Sequence, residues 1–425
     1  MSLLDKKKVV IVVASILLAG CQTLGGYEVA LEDTSVSPSM KSKSTVSTLK
    51  ADTNTYEPSQ YKVANLKPSE RPSTETDEAG LWMLVDNYEE RLATSAQLYE
   101  RRELQNYLKE VTCRIADKFC YDIRVYVVHN PFFNASMMPN GLLQIHTGLL
   151  LRVHNEAQLA AILGHEIGHY LRRHSLQRMI DIREKAAASV IFQLAMVAAG
   201  TPEFNDLVNK IILGSIFSFG RDHEREADGY GLVLMKNAGY DTLEAHKVWD
   251  NLIRERDAGE GGTSSIFYST HPPSEERRDA LKEIAARLRE NSNDLDKGQS
   301  RFRQAISRYR GEFLGDELAL GKFETSKELL TLLLEGGFRK SETLYFFGEL
   351  YRLRAEESDI PKAMEFYEQA GHSGIPPAEL HRSKGLIYWR NGQKNRARES
   401  FRAYLKLKPE APDAKMIWSM IGEKK

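Results

Sequence analysis

The sequence predicts a mainly α-helical fold with a small β-sheet, followed by a wholly helical C-terminal region. From about Leu81, apolar residues recur at the spacing of one helix face. Residues 123–128 alternate like a strand, and residues 142–146 follow the turn signal Pro139-Asn140-Gly141. After residue 300, small and aromatic residues recur 34 or 37 positions apart. These three observations define the expected fold class.

The N-terminus predicts export and lipid attachment. Lysines at 6–8 precede an apolar run at 9–19. That run is shorter than the ~20 residues that span a bilayer, but it is typical of a signal peptide. Leu18-Ala19-Gly20-Cys21 has the order of a lipobox, which predicts a diacylglycerol on the Cys21 thiol. The alternative is an ordinary secretory signal with an incidental cysteine. Gln22 in place of Asp favours the outer membrane, by resemblance to enterobacterial lipoproteins.

Changes in composition divide the chain into four segments. We expect a signal peptide at 1–20, a flexible tether rich in Ser, Thr, Lys and Pro at 21–79, and folded regions at 80–295 and 300–425. The signal carries three Lys and one Asp, so the mature net charge is −1 − 2 = −3. This balance gives no reason to expect nucleic acid as a partner. The apolar stretch at 186–199 is better suited to a buried or membrane-grazing helix than to a span.

Two cysteines remain besides Cys21, and they predict a disulfide. Cys113 and Cys120 form an even pair in an oxidising compartment. Seven residues within one helix would separate them by ~10.5 Å, beyond the ~7 Å limit of a disulfide. However, a strand begins soon after Cys120, so the helix should end near Lys118 and let Cys120 fold back. Two buried free thiols are the alternative.

The motif His165-Glu166-Ile167-Gly168-His169 predicts a zinc site. Residues four apart lie on one helix face ~5 to 6 Å apart, so His165 and His169 can bind one Zn²⁺. Glu166 lies next to His165 around the helix, where a carboxylate can act on water as a general base. The apolar residues ahead of the motif favour a buried helix. The sequence therefore predicts hydrolytic chemistry at this helix.

A second segment supplies the third metal ligand. Glu224 and Asp228 are four residues apart and share a helix face. We assign Glu224 as the ligand, and Asp228 as the carboxylate that accepts the other ring N–H of a ligating histidine. His223 is the alternative ligand. Glu226 is expected to point elsewhere, into solvent.

The C-terminal region resembles tetratricopeptide repeats. Small residues recur where paired helices would touch, and aromatic residues recur between them. The aligned pairs are Gly348 and Gly385, Tyr351 and Tyr388, Ala363 and Ala397, and Tyr367 and Phe401. Such repeats imply a short solenoid with a concave binding face. An irregular helical bundle is the alternative.

The motif and its surroundings resemble the gluzincin metallopeptidases, the family of HtpX and the CAAX prenyl proteases. The likeness covers roughly residues 80–290. A signal, this peptidase region and terminal repeats are most similar to the periplasmic BepA-like branch; the four hydrophobic spans typical of HtpX and the prenyl proteases are absent from the sequence. Further family-like segments are Asn134-Ala135, Gly148-Leu149-Leu150, Asn155-Glu156 and Thr270-His271-Pro272.

The resemblance implies a lipid-anchored zinc metalloendopeptidase with one Zn²⁺ per chain and a zincin-like α+β domain at 80–295. Its expected substrates are misfolded or misassembled envelope proteins, in outer-membrane protein quality control. The repeats would contact substrates or the outer-membrane assembly machinery. The expected location is the inner leaflet of the outer membrane, facing the periplasm. The alternative is a chaperone-like adaptor that acts through its repeats, with a silenced or structural zinc site.

Further expectations concern residues around the site. In BepA-like enzymes the histidine of a Thr-His-Pro segment can occupy the fourth zinc position and suppress activity, and His271 matches it; an ordinary turn residue is the alternative. Tyr268 and His271 are the candidates for an oxyanion donor. His174 lies nine residues from His165, about half a turn round a continuous helix, and is predicted at the surface. The strand at 142–146 is predicted to pair with an extended substrate.

Overall fold

The structure, a computed structural model, describes residues 63–185, 218–259, 266–272, 274–289 and 295–422. Most of this backbone is helical, and one small sheet lies in the first of these ranges. The mainly helical fold with a small β-sheet is confirmed. Signal residues 1–20, Cys21 and the apolar stretch 186–199 lie outside the described residues.

The sheet contains strands β1 (Arg124–Val128), β2 (Ala135–Met137) and β3 (Leu142–His146) in the order β1-β3-β2. Strand β1 runs parallel to β3, and β2 runs antiparallel to it. The sequence did not reveal β2, because three residues are too few to show alternation. Gly141 lies in the turn between β2 and β3 and has a φ of +91°. A Cβ at this position would lie 2.1 Å from the carbonyl oxygen of Asp122. The turn therefore requires glycine.

The position of β3 overturns one expectation. Both of its edges are hydrogen-bonded, to β1 on one side and to β2 on the other. A substrate strand cannot add to a strand whose backbone groups are already paired. The prediction that residues 142–146 pair with substrate is wrong, and β2 is the edge strand on that side of the sheet.

Helices α1 (Asp77–Ala93) and α2 (Arg102–Ala116) precede the sheet. The chain then forms a 3₁₀ helix over Asp117–Asp122. This tighter turn brings Cys120 back towards α2, so that its Cα lies 4.5 Å from that of Cys113. The structure joins the two cysteines in a disulfide.

The segment ahead of α1 lies against the helical core. Leu66 is buried, and its backbone N–H donates to the carbonyl oxygen of Leu171 at 2.9 Å. The tether predicted for 21–79 is therefore too long at its C-terminal end. Low apolar content hid this contact, because a single buried leucine produces no periodic pattern. None of the described helices combines the length and the apolar character needed to cross a membrane.

Helix α4 (Glu156–Leu171) follows the short helix α3 (Thr147–Arg152) and carries the histidine motif. Its N-cap is Asn155, whose side chain accepts from the backbone N–H of Gln158 at 2.9 Å. All sixteen residues of α4 are buried, as expected for a helix surrounded by other elements. The helix ends at Leu171 with Arg172 as its C-cap, and Arg173 has a φ of +57°. This left-handed residue interrupts the helical backbone before α5 (His174–Lys185) begins.

Helix α6 (Arg221–Asn237) crosses α4 at unusually close range. Glycines on both helices make the crossing possible. A Cβ on Gly231 would lie 2.8 Å from the backbone nitrogen of His165 and 2.9 Å from the carbonyl carbon of Gly164. A Cβ on Gly168 would lie 3.1 Å from the carbonyl oxygen of Ala227. The two helices therefore meet backbone to backbone.

Helices α7 (Ala245–Ala258), α8 (Ile266–Thr270) and α9 (Glu275–Arg289) complete the first half of the fold. Buried side chains of α7 and α9 join the same apolar core as α4 and α6. Aromatic packing also anchors α8, since Phe267 lies edge-to-face on Phe133 with ring centroids 4.8 Å apart. These contacts fix the short segment that follows α8.

The C-terminal region is entirely helical in its described part. Its helices are α10 (Gln299–Ile306), α11 (Arg310–Ala319), α12 (Phe323–Glu335), α13 (Lys340–Arg354), α14 (Asp359–His372), α15 (Glu379–Arg390), α16 (Lys394–Leu407) and α17 (Ala414–Ile421).

Two of the successive helix pairs share one packing detail. In the α13–α14 pair, a Cβ on Gly348 would lie 2.3 Å from the Tyr367 ring, and in the α15–α16 pair a Cβ on Gly385 would lie 2.6 Å from the Phe401 ring. These are residues that the sequence repeat aligned with one another. Each glycine lets an aromatic ring lie directly on the neighbouring helix. A tetratricopeptide-like solenoid stays a prediction.

A buried ion-pair cluster connects the two halves. Arg152 of α3 donates from Nε to Glu255 of α7 at 2.8 Å and from Nη2 to Glu317 of α11 at 3.0 Å. All three side chains are buried. The described residues from 63 onward belong to one compact unit.

Candidate metal centre

Four side chains from three segments converge inside the first half of the fold. His165 and His169 lie one turn apart on α4, Glu224 lies in the first turn of α6, and His271 directly follows α8. Each is at most 3% exposed. One ligand atom from each residue lies within 4.8 Å of the other three. The two segments that the sequence assigned to the metal are therefore adjacent.

Three distances within this group are close to those of a tetrahedral site. His165 Nε2 lies 3.0 Å from His169 Nε2 and 3.2 Å from His271 Nδ1, and His169 Nε2 lies 3.4 Å from Glu224 Oε1. A tetrahedral Zn²⁺ with N and O ligands at ~2.0 to 2.1 Å separates those ligand atoms by about 3.3 Å. The donor atoms are already spaced for such an ion.

The contacts of the two α4 histidines also favour a cation between their rings. His165 Nδ1 lies 2.8 Å from Asp228 Oδ1, and His169 Nδ1 lies 2.8 Å from His174 Nδ1. If these outward nitrogens carry the protons, both Nε2 atoms present lone pairs to each other at 3.0 Å. Burial holds the pKa of His169 well below its usual value, which favours the neutral ring. Facing lone pairs repel, so a metal ion between them would stabilise the arrangement.

Glu166 lies beside this group with its two oxygens in different surroundings. Its Oε2 accepts a hydrogen bond from the backbone N–H of Met137 in β2, at 3.1 Å. Its Oε1 is buried without a hydrogen-bond partner among the described residues, and lies 3.8 Å from His271 Nε2. Burial raises the pKa of Glu166. One oxygen is thus held by the sheet, and the other is available to accept a proton.

Arg277 of α9 ties two carboxylates of α6 together. It contacts Asp228 in a bidentate pair, Nε to Oδ2 at 2.9 Å and Nη2 to Oδ1 at 2.8 Å. Its Nη1 lies 2.7 Å from Glu224 Oε2. Burial alone would raise the pKa of Asp228, but the positive charge of Arg277 and the contacts with His165 and Arg277 together outweigh burial and lower that pKa. Asp228 is therefore kept ionised as a partner for His165.

The grouping of histidines with Glu224, beside the second carboxylate Glu166, agrees with a family comparison. Residues 100–285 match the family described as Peptidase family M48. This part of the chain is an M48 domain. The metal of M48 gluzincins is zinc, and the four-residue group in this domain can hold such an ion.

Relatives with this domain carry protease names. The chain is similar to "Mitochondrial metalloendopeptidase OMA1" of Schizosaccharomyces pombe, with 32% identity over 37% of this chain and 45% of that protein. It is 24% identical to "Beta-barrel assembly-enhancing protease" of Escherichia coli, over 64% of this chain and 56% of that protein. "Metalloprotease YcaL" of E. coli is 28% identical over 36% of this chain and 58% of that protein. The chain thus spans about half the length of these relatives.

Sequence reasoning misplaced His174 within the M48 domain. The side chain is fully buried and contacts His169, where the surface had been predicted. That prediction assumed one continuous helix, whereas the left-handed residue Arg173 separates α4 from α5, at whose start His174 lies. The paired arginines 172–173 after the apolar run were a signal of a helix end.

Glu226 was also misplaced. Its carboxylate accepts from His174 Nε2 at 3.0 Å and forms an ion pair with the buried side chain of Arg172. A charged stretch on a helix is usually solvated, but His174 and Arg172 contact this carboxylate in the M48 domain. Arg277 was missed altogether. It lies 49 residues from Asp228 and no local pattern marks it.

Three other residues were candidates for the site, namely His223, His271 and Tyr268. His223 lies outside the four-residue group, and its Nε2 is 3.1 Å from Gln177 Oε1. His271 lies inside the group, with Nδ1 also 2.8 Å from Glu224 Oε1. The Tyr268 hydroxyl is 3.4 Å from the carbonyl oxygen of Leu252. Glu224 rather than His223 is therefore the α6 residue that belongs to the four-residue group.

Proposed function

We propose that the chain is a zinc metalloendopeptidase with one zinc held by His165, His169 and Glu224. The buried donor set, its tetrahedral spacing and the M48 match support this proposal. Bound zinc would polarise the scissile carbonyl and lower the pKa of the attacking water. Asp228 and Arg277 hold the ligands in place, since Asp228 contacts His165 and Arg277 lies against Glu224.

The observation that carries the proposal is the environment of Glu166. Its bare Oε1 faces the metal group, while Met137 fixes its other oxygen. In peptide hydrolysis Glu166 would take the proton from the attacking water and deliver it to the leaving amine nitrogen. A purely structural metal site needs no such base. This arrangement therefore favours catalysis.

An extended substrate would bind along β2. This strand is at the edge of the sheet, and Met137 within it contacts Glu166. In an antiparallel ladder, alternate residues direct their backbone groups away from the paired neighbour. A peptide added on that side would pass directly beside Glu166, and would pair with the outward backbone groups of β2 other than the Met137 N–H, which already donates to Glu166. Such binding requires an unfolded or unpaired segment, which suits misfolded protein as the substrate.

His271 would act as a displaceable fourth ligand. A catalytic zinc needs an open coordination position. The His271 ring fills the space between His165 and Glu224, with Nδ1 at 3.2 and 2.8 Å from them. Substrate would have to displace this ring, and the proposed result is a peptidase that is restrained at rest.

The proposed location and substrates follow from the N-terminus and the C-terminal helices. The lipobox at 18–21 predicts a lipid anchor at Cys21, and we propose the periplasmic face of the outer membrane. The E. coli relative's name, "Beta-barrel assembly-enhancing protease", supports envelope proteins as substrates. A groove of about 760 Å³ in the C-terminal region offers a surface for substrate or for the outer-membrane assembly machinery.

Metal analysis and proteolysis of purified variants test the catalytic proposal. His165→Ala and His169→Ala should each lose zinc, whereas Glu166→Gln should retain zinc and lose cleavage of an unfolded protein substrate. Zinc retained in both histidine variants would contradict the ligand assignment. Undiminished cleavage by Glu166→Gln would contradict the role of the base.

A cleavage-product map in the cell envelope tests the substrate proposal. Peptides that appear with the active enzyme and disappear with Glu166→Gln identify its substrates. If the Glu166→Gln variant instead restores the wild-type phenotype when it is expressed in a deletion strain, the chain acts as a chaperone-like adaptor.

A further inference from the structure

We propose that His174 and Glu226 are positioning residues that hold His169 in the orientation needed to bind zinc. His174 follows the metal-binding helix, and Glu226 lies on α6 between Glu224 and Asp228. The proposal rests on the proposed function, because it requires that His169 is a zinc ligand.

The hydrogen bonds among Glu226, His174 and His169 determine which ring nitrogens donate and which accept. An ionised Glu226 can only accept, so the ring N–H of His174 is on Nε2, 3.0 Å from Glu226 Oε2. In the neutral ring His174 Nδ1 is then an acceptor, and His169 Nδ1, 2.8 Å away, must donate to it. This leaves His169 Nε2 without a proton and aimed at the metal group. The His174–Glu226 pair therefore selects the tautomer of His169 that a metal requires.

The two α4 ligands are held in different ways. His165 contacts the carboxylate of Asp228 directly, at 2.8 Å. His169 reaches its carboxylate, Glu226, only through the ring of His174. Ligating histidines usually donate their second N–H to an acceptor of this kind, which fixes the ring orientation. Without His174, the structure gives His169 no carboxylate on its outer side in the described part of the chain.

Glu226, the carboxylate that accepts from His174, is also held in place. The Glu226 carboxylate pairs with Arg172, which is 1% exposed and bonds to Asn65 in the segment ahead of α1. Glu226 is thus held by a buried cation and cannot easily leave His174. A histidine that merely filled space would not need this continuous series of polar contacts.

Zinc affinity measured by competition with a chelator tests the proposal. His174→Phe removes the acceptor while keeping an aromatic ring, and should weaken zinc binding ~10- to 100-fold. His174→Asn places an oxygen near the former Nδ1 and should recover most of the lost affinity. His146→Phe is the matched control, because His146 is a buried histidine of β3 outside the metal group. It should leave zinc affinity unchanged.

Glu226 provides a second pair of variants for the case in which a His174 variant does not fold. Glu226→Gln keeps an acceptor for His174 and should retain zinc affinity within a few-fold. Glu226→Ala removes the acceptor and should weaken binding ~10-fold or more. The absorption spectrum of the Co²⁺-substituted protein should shift in the weak-binding variants, because the ligand geometry changes.

The outcomes separate the two proposals. Parent protein that binds no zinc would contradict the proposed function itself. If the parent binds zinc and both His174→Phe and Glu226→Ala bind it equally well, the positioning role is wrong even if those variants are less stable. Equal weakening by His174→Asn and His174→Phe, with no difference between the two Glu226 variants, would also overturn it.

Discussion

Gly231→Ala should damage the metal centre without unfolding the protein. Gly231 faces α4 at the helix crossing, and lies on the same helix as Glu224, two turns or ~10.5 Å further along. A methyl group there would lie 2.8 Å from the backbone nitrogen of His165, whereas ordinary contact begins at 3.4 Å. The helices must therefore separate by about 0.6 Å, the difference between the two distances. Metal sites tolerate ligand displacements of only ~0.2 Å.

The expected magnitudes differ for stability and for zinc binding. Overpacking costs about 1 to 3 kcal/mol, and replacing a helical glycine by alanine returns about 1 kcal/mol. The metal-free variant should thus lose at most about 2 kcal/mol in a urea unfolding experiment. Zinc affinity should fall by roughly tenfold or more, because the clash lies at His165 itself.

Gly80→Ala is the matched control for this experiment. Gly80 is also helical, in α1, and nothing in the described part of the chain would lie within 4 Å of its Cβ. This variant should gain up to about 1 kcal/mol in stability and bind zinc normally. Zinc affinity in Gly231→Ala equal to that of the parent would refute the reasoning, as would an equal loss in Gly80→Ala.

Three further outcomes are expected. His271→Ala should increase cleavage of an unfolded substrate at constant zinc content; a fall of ~10²-fold or more would instead assign His271 to the oxyanion. Burial raises the pKa of Glu255 from 4.5 to about 7. The folded protein then binds more protons than the unfolded chain between these values, so its stability should decline as pH rises through this window. Glu255→Gln should remove that decline, and equal pH slopes for the two proteins would contradict the assignment. Cys21→Ser should move the protein from the membrane to the soluble fraction; a variant that sediments and resists salt washing has another attachment.

Local patterns predicted those parts of the site that lie within single helices. The spacing of His165 and His169 and that of Glu224 and Asp228 each define one helix face, and in the structure both faces meet at the same group. Periodicity reports which residues share a face, and metal chemistry explains why two such faces should meet.

The errors arose where the chain direction or a distant contact decides the outcome. His174 was placed on the wrong side because a single left-handed residue, Arg173, ended the helix. Arg277 meets Asp228 only because α9 packs against α6, and that contact has no trace in the nearby sequence. Strand β2 depends on its neighbour β3 for its existence, since three residues alone carry too little pattern.

The ion-pair cluster of Arg152, Glu255 and Glu317 affects how this chain could recombine with others during evolution. The M48 match ends at residue 285, yet Arg152 within it also pairs with Glu317 beyond that point. A gene fusion that joined residues 100–285 to a different C-terminal partner would leave the buried Arg152 with one carboxylate in place of two. Removing a partner from a buried ion pair costs about 3 to 5 kcal/mol, a large part of the stability of a typical protein. The segment that can be exchanged intact is therefore longer than the segment that sequence comparison recognises.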